Sequence, residues 1–130
     1  MTGVQTCALP IYLYRIELGA FLAMPDEAAA WDVVLSADTL CYFGPLEAVC
    51  AGARKVLRPG GLFGFSVEDA GERAPDGHLL NPHGRYAHSA AYVRRCLEGA
   101  GLAVLGIDPA VLRTEGGKPV HGLIVVGRAV

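Results

Sequence analysis

The chain has no apolar run approaching about 20 residues, so no segment reads as a transmembrane helix. It has no excess of positive charge: 11 basic and 13 acidic residues leave a formal net charge of −2 and a pI near 6.0. A non-specific nucleic-acid or anionic-membrane binder is normally basic, so neither partner is expected. Cysteine is sparse. Cys7, Cys41, Cys50 and Cys96 include no Cys-x-x-Cys pair, which argues against a disulfide framework and for reduced thiols in a cytoplasmic protein. Gly-x-Gly-x-x-Gly is missing, which argues against a complete dinucleotide-binding oxidoreductase. The start of the chain has no basic n-region and no long apolar h-region, so it is no ordinary signal peptide. No internal repeat or low-complexity tract is present.

What is there suits one folded unit. With 52% hydrophobic and 18% charged residues over 130 positions, disorder is excluded and a core is feasible. A domain of this size hides roughly two thirds of the surface its unfolded chain exposes. Residues 1–11 fit neither a helical nor a strand period. They resemble translated sequencing-adapter DNA, and an artefact or a disordered arm is expected there, with residues 12–130 as the folded portion.

Beyond that arm, loose alternation over Tyr12–Leu22 predicts a short strand ending near Gly19. Pro25–Ala30 predicts a helical turn, and Trp31–Ser36 a strand apolar enough to be buried on both faces. A loop over Ala37–Gly44 leads to a helix over Leu46–Leu57, stopped by Arg58-Pro59-Gly60-Gly61. Leu62–Val67 is the next strand. Glu68–His88 is a long Gly- and Pro-containing loop, of a length that is usually functional or disordered. Ser89 caps a helix over Ala90–Ala100, ended by Gly101. Leu102–Ile107 and Val120–Val126 are strands joined by a connection over Pro109–Pro119 with a Gly116-Gly117 turn. The order implies an α/β sheet, mostly parallel, with an antiparallel C-terminal strand.

Three segments together resemble the C-terminal part of a class I S-adenosylmethionine-dependent methyltransferase. Trp31-Asp-Val-Val-Leu-Ser-Ala-Asp-Thr-Leu-Cys-Tyr-Phe43 is similar to that family's fourth strand and following loop. Lys55-Val-Leu-Arg-Pro-Gly-Gly-Leu-Phe63 is similar to its helix-to-fifth-strand turn, and the C-terminal helix, strand and hairpin complete the likeness. Gly84-Arg-Tyr-Ala-His-Ser89 resembles a segment of bacterial members associated with tetratricopeptide repeats. The resemblance spans about residues 12–130. It implies a partial Rossmann-like methyltransferase sheet, S-adenosyl-L-methionine as cofactor, and a small-molecule or protein methyl acceptor. The family's Gly-rich cofactor loop has no counterpart, because Gly60, Gly61 and Gly64 precede their strand instead of following it. A truncated methyltransferase, inactive alone, is therefore expected, its full-length parent carrying tetratricopeptide repeats. A non-enzymatic α/β interaction module is the alternative.

Ligands of open α/β sheets sit beyond the carboxyl ends of the parallel strands. By resemblance, Leu18, Gly19 and Ala20 would border the adenine, though Ala20 stands where many members have an acidic residue. Ser36, Ala37 and Asp38 would face the methionine part. Methyl transfer chiefly requires alignment, which can supply roughly 7–11 kcal/mol, so no fixed triad is expected. Tyr42 is placed in the transfer pocket, and His88 is the candidate base because its ordinary pKa lies near neutrality. Glu68, Arg85 and Tyr86 are candidates for the acceptor pocket, Arg85 by bidentate binding of an acidic group. The spacing of His78, His83 and His88 is not a usual metal pattern, and no metal is expected. Without earlier strands, the first strand would float or pair with Val33–Ser36. An exposed apolar edge and marginal solubility follow.

Overall fold

The computed structural model describes residues 15–130. The arm at 1–11 and the first residues of the strand expected at Tyr12–Leu22 lie outside the described residues. The remainder of that strand is a correction: Leu18–Leu22 forms a short helix, α1. The cause is local. The Glu17 carboxylate accepts from the backbone N–H groups of Gly19 and Ala20 at 2.9 and 2.8 Å, an N-cap that satisfies donors a helix start leaves open.

After a 3-10 turn at Pro25–Glu27 comes β1, Trp31–Ser36. Helix α2 runs over Glu47–Val56 and passes directly into β2, Leu57–Asp69. The expected long loop contains two three-residue strands, β3 (His78–Leu80) and β4 (Tyr86–His88). Helix α3, Ala90–Gly99, starts where Ser89 Oγ accepts from the Tyr92 N–H at 3.1 Å, as its sequence predicts. The last two strands are longer than expected: β5 spans Leu102–Glu115 and β6 spans Lys118–Ala129. Pro109 does not end β5. It pairs with Leu123 on a strand that is at the sheet edge among the described residues, the position where proline is tolerated in a sheet. Gly116 and Gly117, at φ +55° and +76°, make the two-residue turn between them.

One sheet results, in the order β3-β4-β2-β6-β5, with β1 also on β2. Strand β2 pairs parallel with β1 along its first part and with β4 at Glu68 and Asp69, and antiparallel with β6. The expected α/β sheet with an antiparallel C-terminal strand is what forms. Phe63, Phe65 and Val67 of β2, with Leu123 and Val125 of β6, bury one face against Val49, Cys50 and Ala53 of α2 and Val93 and Leu97 of α3. Each fully buried Leu, Val or Phe contributes on the order of 1.5–3 kcal/mol.

The opposite face corrects the expectation that Trp31–Ser36 is buried on both sides. Among the described residues no helix covers it; Leu35 is 79% exposed and Val33 50%. An apolar run shows that a strand can be buried twice, not that it is. Nor do residues 15–18 pair with Val33–Ser36: among the described residues β1 pairs only with β2. The free edge of β1 carries unpaired backbone groups beside apolar side chains, a template for association.

Two outcomes follow. Gly122 sits where β6 crosses β2, and a Cβ there would lie 2.3 Å from Leu112 Cδ1 and 2.6 Å from the Val67 carbonyl oxygen. Gly122→Ala should destabilise by about 2 kcal/mol or more. Gly77→Ala, with nothing within 4 Å, should change stability little; chemical denaturation compares them. Leu35→Lys should abolish concentration-dependent association in sedimentation velocity. Equal association of the variant and the parent chain would remove β1 as its cause.

Candidate functional site

Two clefts open at the carboxyl end of β1, one on each side of the strand. The first, about 400 Å³, lies on the helical side between α1, α2 and the sheet, and is lined by Leu18, Leu22, Val34, Leu40 and Phe63. The second, about 440 Å³, lies on the open sheet face against Gly64, Ser66, Val111 and Ile124. Leu35, Ser36 and Ala37 border both. Both volumes fall within the range of small-molecule sites.

The chain leaves β1 through Asp38, whose φ of +53° is tolerated by Asp better than by most residues. The Asp38 N–H donates to Ser66 Oγ at 3.4 Å, and its carboxylate accepts from Arg113 Nη1 at 2.8 Å. A 3-10 turn at Leu40–Tyr42 follows. Asp38, Cys41, Tyr42, Arg85 and Arg113 enclose a small polar pocket of about 120 Å³. Burial, with Asp38 and Glu68 nearby, pushes the Cys41 thiol up, so it is no thiolate nucleophile at neutral pH.

Behind this pocket lies an ion network that sequence reasoning found only in part. Glu68 is buried, its side chain 9% exposed. Its Oε2 accepts from Arg85 Nε at 2.9 Å and from Arg113 Nη2 at 3.0 Å. Glu115 takes both of its oxygens to Arg85 Nη2, at 2.8 and 2.6 Å, and Oε1 also accepts from Arg113 Nε at 3.2 Å. The Glu68 bond is the main cause that raises the Arg85 pKa further. Arg113 and Glu115 were missed because their segment reads as a connection, not a strand. No apolar/polar alternation marks residues 110–115, where Ala-Val-Leu is followed by Arg-Thr-Glu.

The predicted residues divide clearly. Leu18, Ser36 and Ala37 share the helical-side cleft, and Asp38, Tyr42 and Arg85 share the polar pocket. Glu68 stands behind that pocket instead of entering it. Gly19 lies in a neighbouring depression beside Glu17, and Ala20 is an exposed residue of α1, so the expected loop of Leu18, Gly19 and Ala20 is a helical turn. The Tyr86 ring packs on His78 and over Gly44, not in the polar pocket.

His88 is corrected most sharply. It is 0% exposed, and its Nε2 lies 2.9 Å from the carbonyl oxygens of both Phe43 and Gly44. Carbonyls only accept, so Nε2 carries the proton and the ring latches the loop after β1 to β4. Its Nδ1 is buried with no partner among the described residues. A ring so placed is not a base for an acceptor. Tyr92 completes the latch, its hydroxyl accepting from the Leu46 N–H at 3.0 Å and donating to Glu47 at 2.8 Å. His78 lies against His88 and Tyr92, while His83 faces Glu68 at 3.8 Å. Among the described residues no three potential ligands gather around a metal position, and no helix is long and apolar enough to cross a membrane. Cys41, Cys50 and Cys96 are free thiols, and Cys7 lies outside the described residues.

Residues 5–65 match a family model described as a methyltransferase domain. No curated protein matches. Among solved structures, a SAM-dependent methyltransferase from Methanosarcina mazei superposes with a TM-score of 0.64 at 11% identity, covering 84% of this chain and 64% of its own. An S-adenosylmethionine-dependent methyltransferase from Mesorhizobium loti gives 0.69 at 19%, covering 95% and 72%. The 1,6-didemethyltoxoflavin-N1-methyltransferase of Burkholderia thailandensis, solved with 1,6-didemethyltoxoflavin and S-adenosylhomocysteine, gives 0.62 at 20%, covering 79% and 45%. The chain has the fold of the S-adenosylmethionine-dependent methyltransferases. It spans less than two thirds of the Methanosarcina and Burkholderia proteins.

The latch carries a pH signature. Burial pulls the His88 pKa below its ordinary 6.5; its two backbone bonds oppose this without reversing it, and His78 adds to the lowering. The folded state therefore holds a neutral ring while the unfolded chain protonates near 6.5. The stability this confers is complete above that value and is lost as the pH falls through it toward the lower folded pKa. Denaturant midpoints should drop between about pH 7.5 and about pH 5, and His88→Gln should flatten that slope. An unchanged slope in the variant would assign it elsewhere.

Proposed function

We propose that this chain forms the C-terminal side of a methyl-transfer site that uses S-adenosyl-L-methionine and acts on a small-molecule or protein acceptor. The observation that carries the reading is the meeting of Leu18, Ser36 and Ala37 around one cleft at the carboxyl end of β1. That is where open α/β sheets hold their ligands. The matched family model and the S-adenosylhomocysteine held by the Burkholderia neighbour support the same cofactor.

The residues present fit such a group. Leu18, Val34 and Leu40 offer apolar walls to a flat base, and Ser36 and Ala37 offer main-chain polar atoms beside them. Bound there, the cofactor supplies an electrophilic methyl group on a sulfonium. The chain's part is orientation and exclusion of water. Tyr42, 63% exposed, borders the polar pocket and is the side chain best placed to align an acceptor. With His88 sealed off, the reading uses no histidine base, which suits an acceptor whose nucleophile needs no proton removed. Asp38 is already paired with Arg113, so it serves loop geometry before it serves any ligand ammonium. The resemblance of Gly84–Ser89 supports a parent protein associated with tetratricopeptide repeats, and the sparse, unpaired cysteines support a cytoplasmic one. The open apolar face around Val33 and Leu35 favours a second reading, a docking module of the same fold.

The test is a titration of the isotopically labelled chain with S-adenosyl-L-methionine, followed by amide NMR shifts. Binding is expected to be weak, about millimolar, because among the described residues no glycine-rich loop lines this cleft. Shifts should concentrate at Leu18, Ser36 and Ala37. No shifts at all, or shifts confined to the open sheet face, would contradict the reading and favour the docking module.

A further inference from the structure

The polar pocket holds a charge arrangement that selects its ligand. Two guanidinium groups, Arg85 and Arg113, line it, with side chains only 19% and 23% exposed. Both lean on one oxygen of Glu68, the single buried carboxylate between them. The buried layer of the network thus carries two cations and one anion. Its other two carboxylates differ in kind: Asp38 is 66% exposed and Glu115 43% exposed at the side chain. Ion pairs made by such solvated carboxylates contribute little and exchange readily.

We propose that Arg85 and Arg113 form a carboxylate-binding site, and that the methyl acceptor is a small apolar molecule bearing a carboxylate. This rests on the methyl-transfer reading above and specifies its acceptor. The exposed carboxylates of Asp38 and Glu115 occupy the guanidinium faces that an incoming carboxylate takes over. Guanidinium groups match carboxylates in geometry and charge, and Glu115 already sets both of its oxygens on Arg85 Nη2 and one on Arg113 Nε. A cationic acceptor would face two guanidiniums held against Glu68, with only the exposed Asp38 carboxylate of the pocket to pair with.

The neighbouring cleft accounts for the rest of the molecule. The open-face cleft shares Asp38 with the polar pocket, and its lining residue Leu112 immediately precedes Arg113. Its walls include Leu35, Val111 and Ile124. An acceptor whose charged end sits on Arg85 and Arg113 lays its apolar body there, beside β1 and across it from the helical-side cleft.

Benzoate is the probe, with benzamide as its neutral counterpart, followed by the side-chain Nε–Hε NMR signals of Arg85 and Arg113 without cofactor. Benzoate should shift both signals and bind at least about tenfold more tightly than benzamide. Arg113→Gln should lose that preference. That variant leaves Glu68 with one partner fewer, so Glu115→Gln is the companion: it removes only an exposed competitor and should tighten benzoate several-fold. Equal affinity for the two probes, or a Glu115→Gln variant that binds benzoate no better, would overturn the proposal. Neither result touches the response of Leu18, Ser36 and Ala37 to S-adenosyl-L-methionine, so the two readings fail separately.

Discussion

The site depends on one buried carboxylate. Glu68 is the next-to-last residue of the central strand β2, and through Arg85 and Arg113 it joins segments 17 and 45 residues downstream. A charge taken out of water is tolerated only when its partners are close and well aimed, and removing one partner leaves the other stranded. The β3–β4 segment and the tip of the β5–β6 hairpin are therefore bound to the end of β2. Through Arg113 and Asp38, so is the loop after β1. The loop after β1 also anchors itself in the core through Leu40 and Cys41. Glu68 fixes the polar ends of these three connections relative to one another.

On the helical side, the latch formed by His88 and Tyr92 does the same work with neutral groups. His88 fixes Phe43 and Gly44, and Tyr92 fixes Leu46 and Glu47, so both ends of the segment entering α2 are tied to the β4–α3 junction. The Tyr92 bond also draws the Glu47 carboxyl below its ordinary range. The segment Arg85-Tyr-Ala-His-Ser89 thus divides its labour by alternation. Arg85 reaches the ion network, while Tyr86 and His88 pack against the loop before α2.

Much of this architecture was legible in the sequence. Apolar periodicity located β1, α2 and α3, the Ser89 cap located the start of α3, and the Gly116-Gly117 turn was placed correctly. Other features had no local signature. Strands β3 and β4 are three residues each, too short to show a period. The helical start at Leu18 rests on one capping carboxylate, within a run whose alternation reads as a strand. Proline usually ends a strand, and only the edge position of β5 lets Pro109 remain inside it. In the site, Asp38, Tyr42 and Arg85 were recoverable because they follow parallel strands or lie on the long loop. Arg113 was not, because the ladder shifts register between Val111 and Arg113. Irregularities of this kind re-aim a side chain with no mark in the residue order.

The geometry of β1 explains how one fold sets two different clefts side by side. Successive residues of a strand point to opposite faces. Val34 and Ser36 are level with Phe63 and Phe65 on the helical side, while Val33 and Leu35 are level with Leu62 and Gly64 on the open side. Gly64 is the permissive element: a Cβ there would come within 2.9 Å of Leu35 Cδ2. The strand is thus a wall one residue thick, with a cleft on each side and Asp38 at its end. The helical-side cleft is built largely from segments before residue 64, and the open-face cleft with its polar end largely from β2, β5 and β6. Fold class alone does not set the reaction. What this fold contributes is a thin partition that brings two independently built clefts to a common edge, where a group bound on one side can meet a group bound on the other.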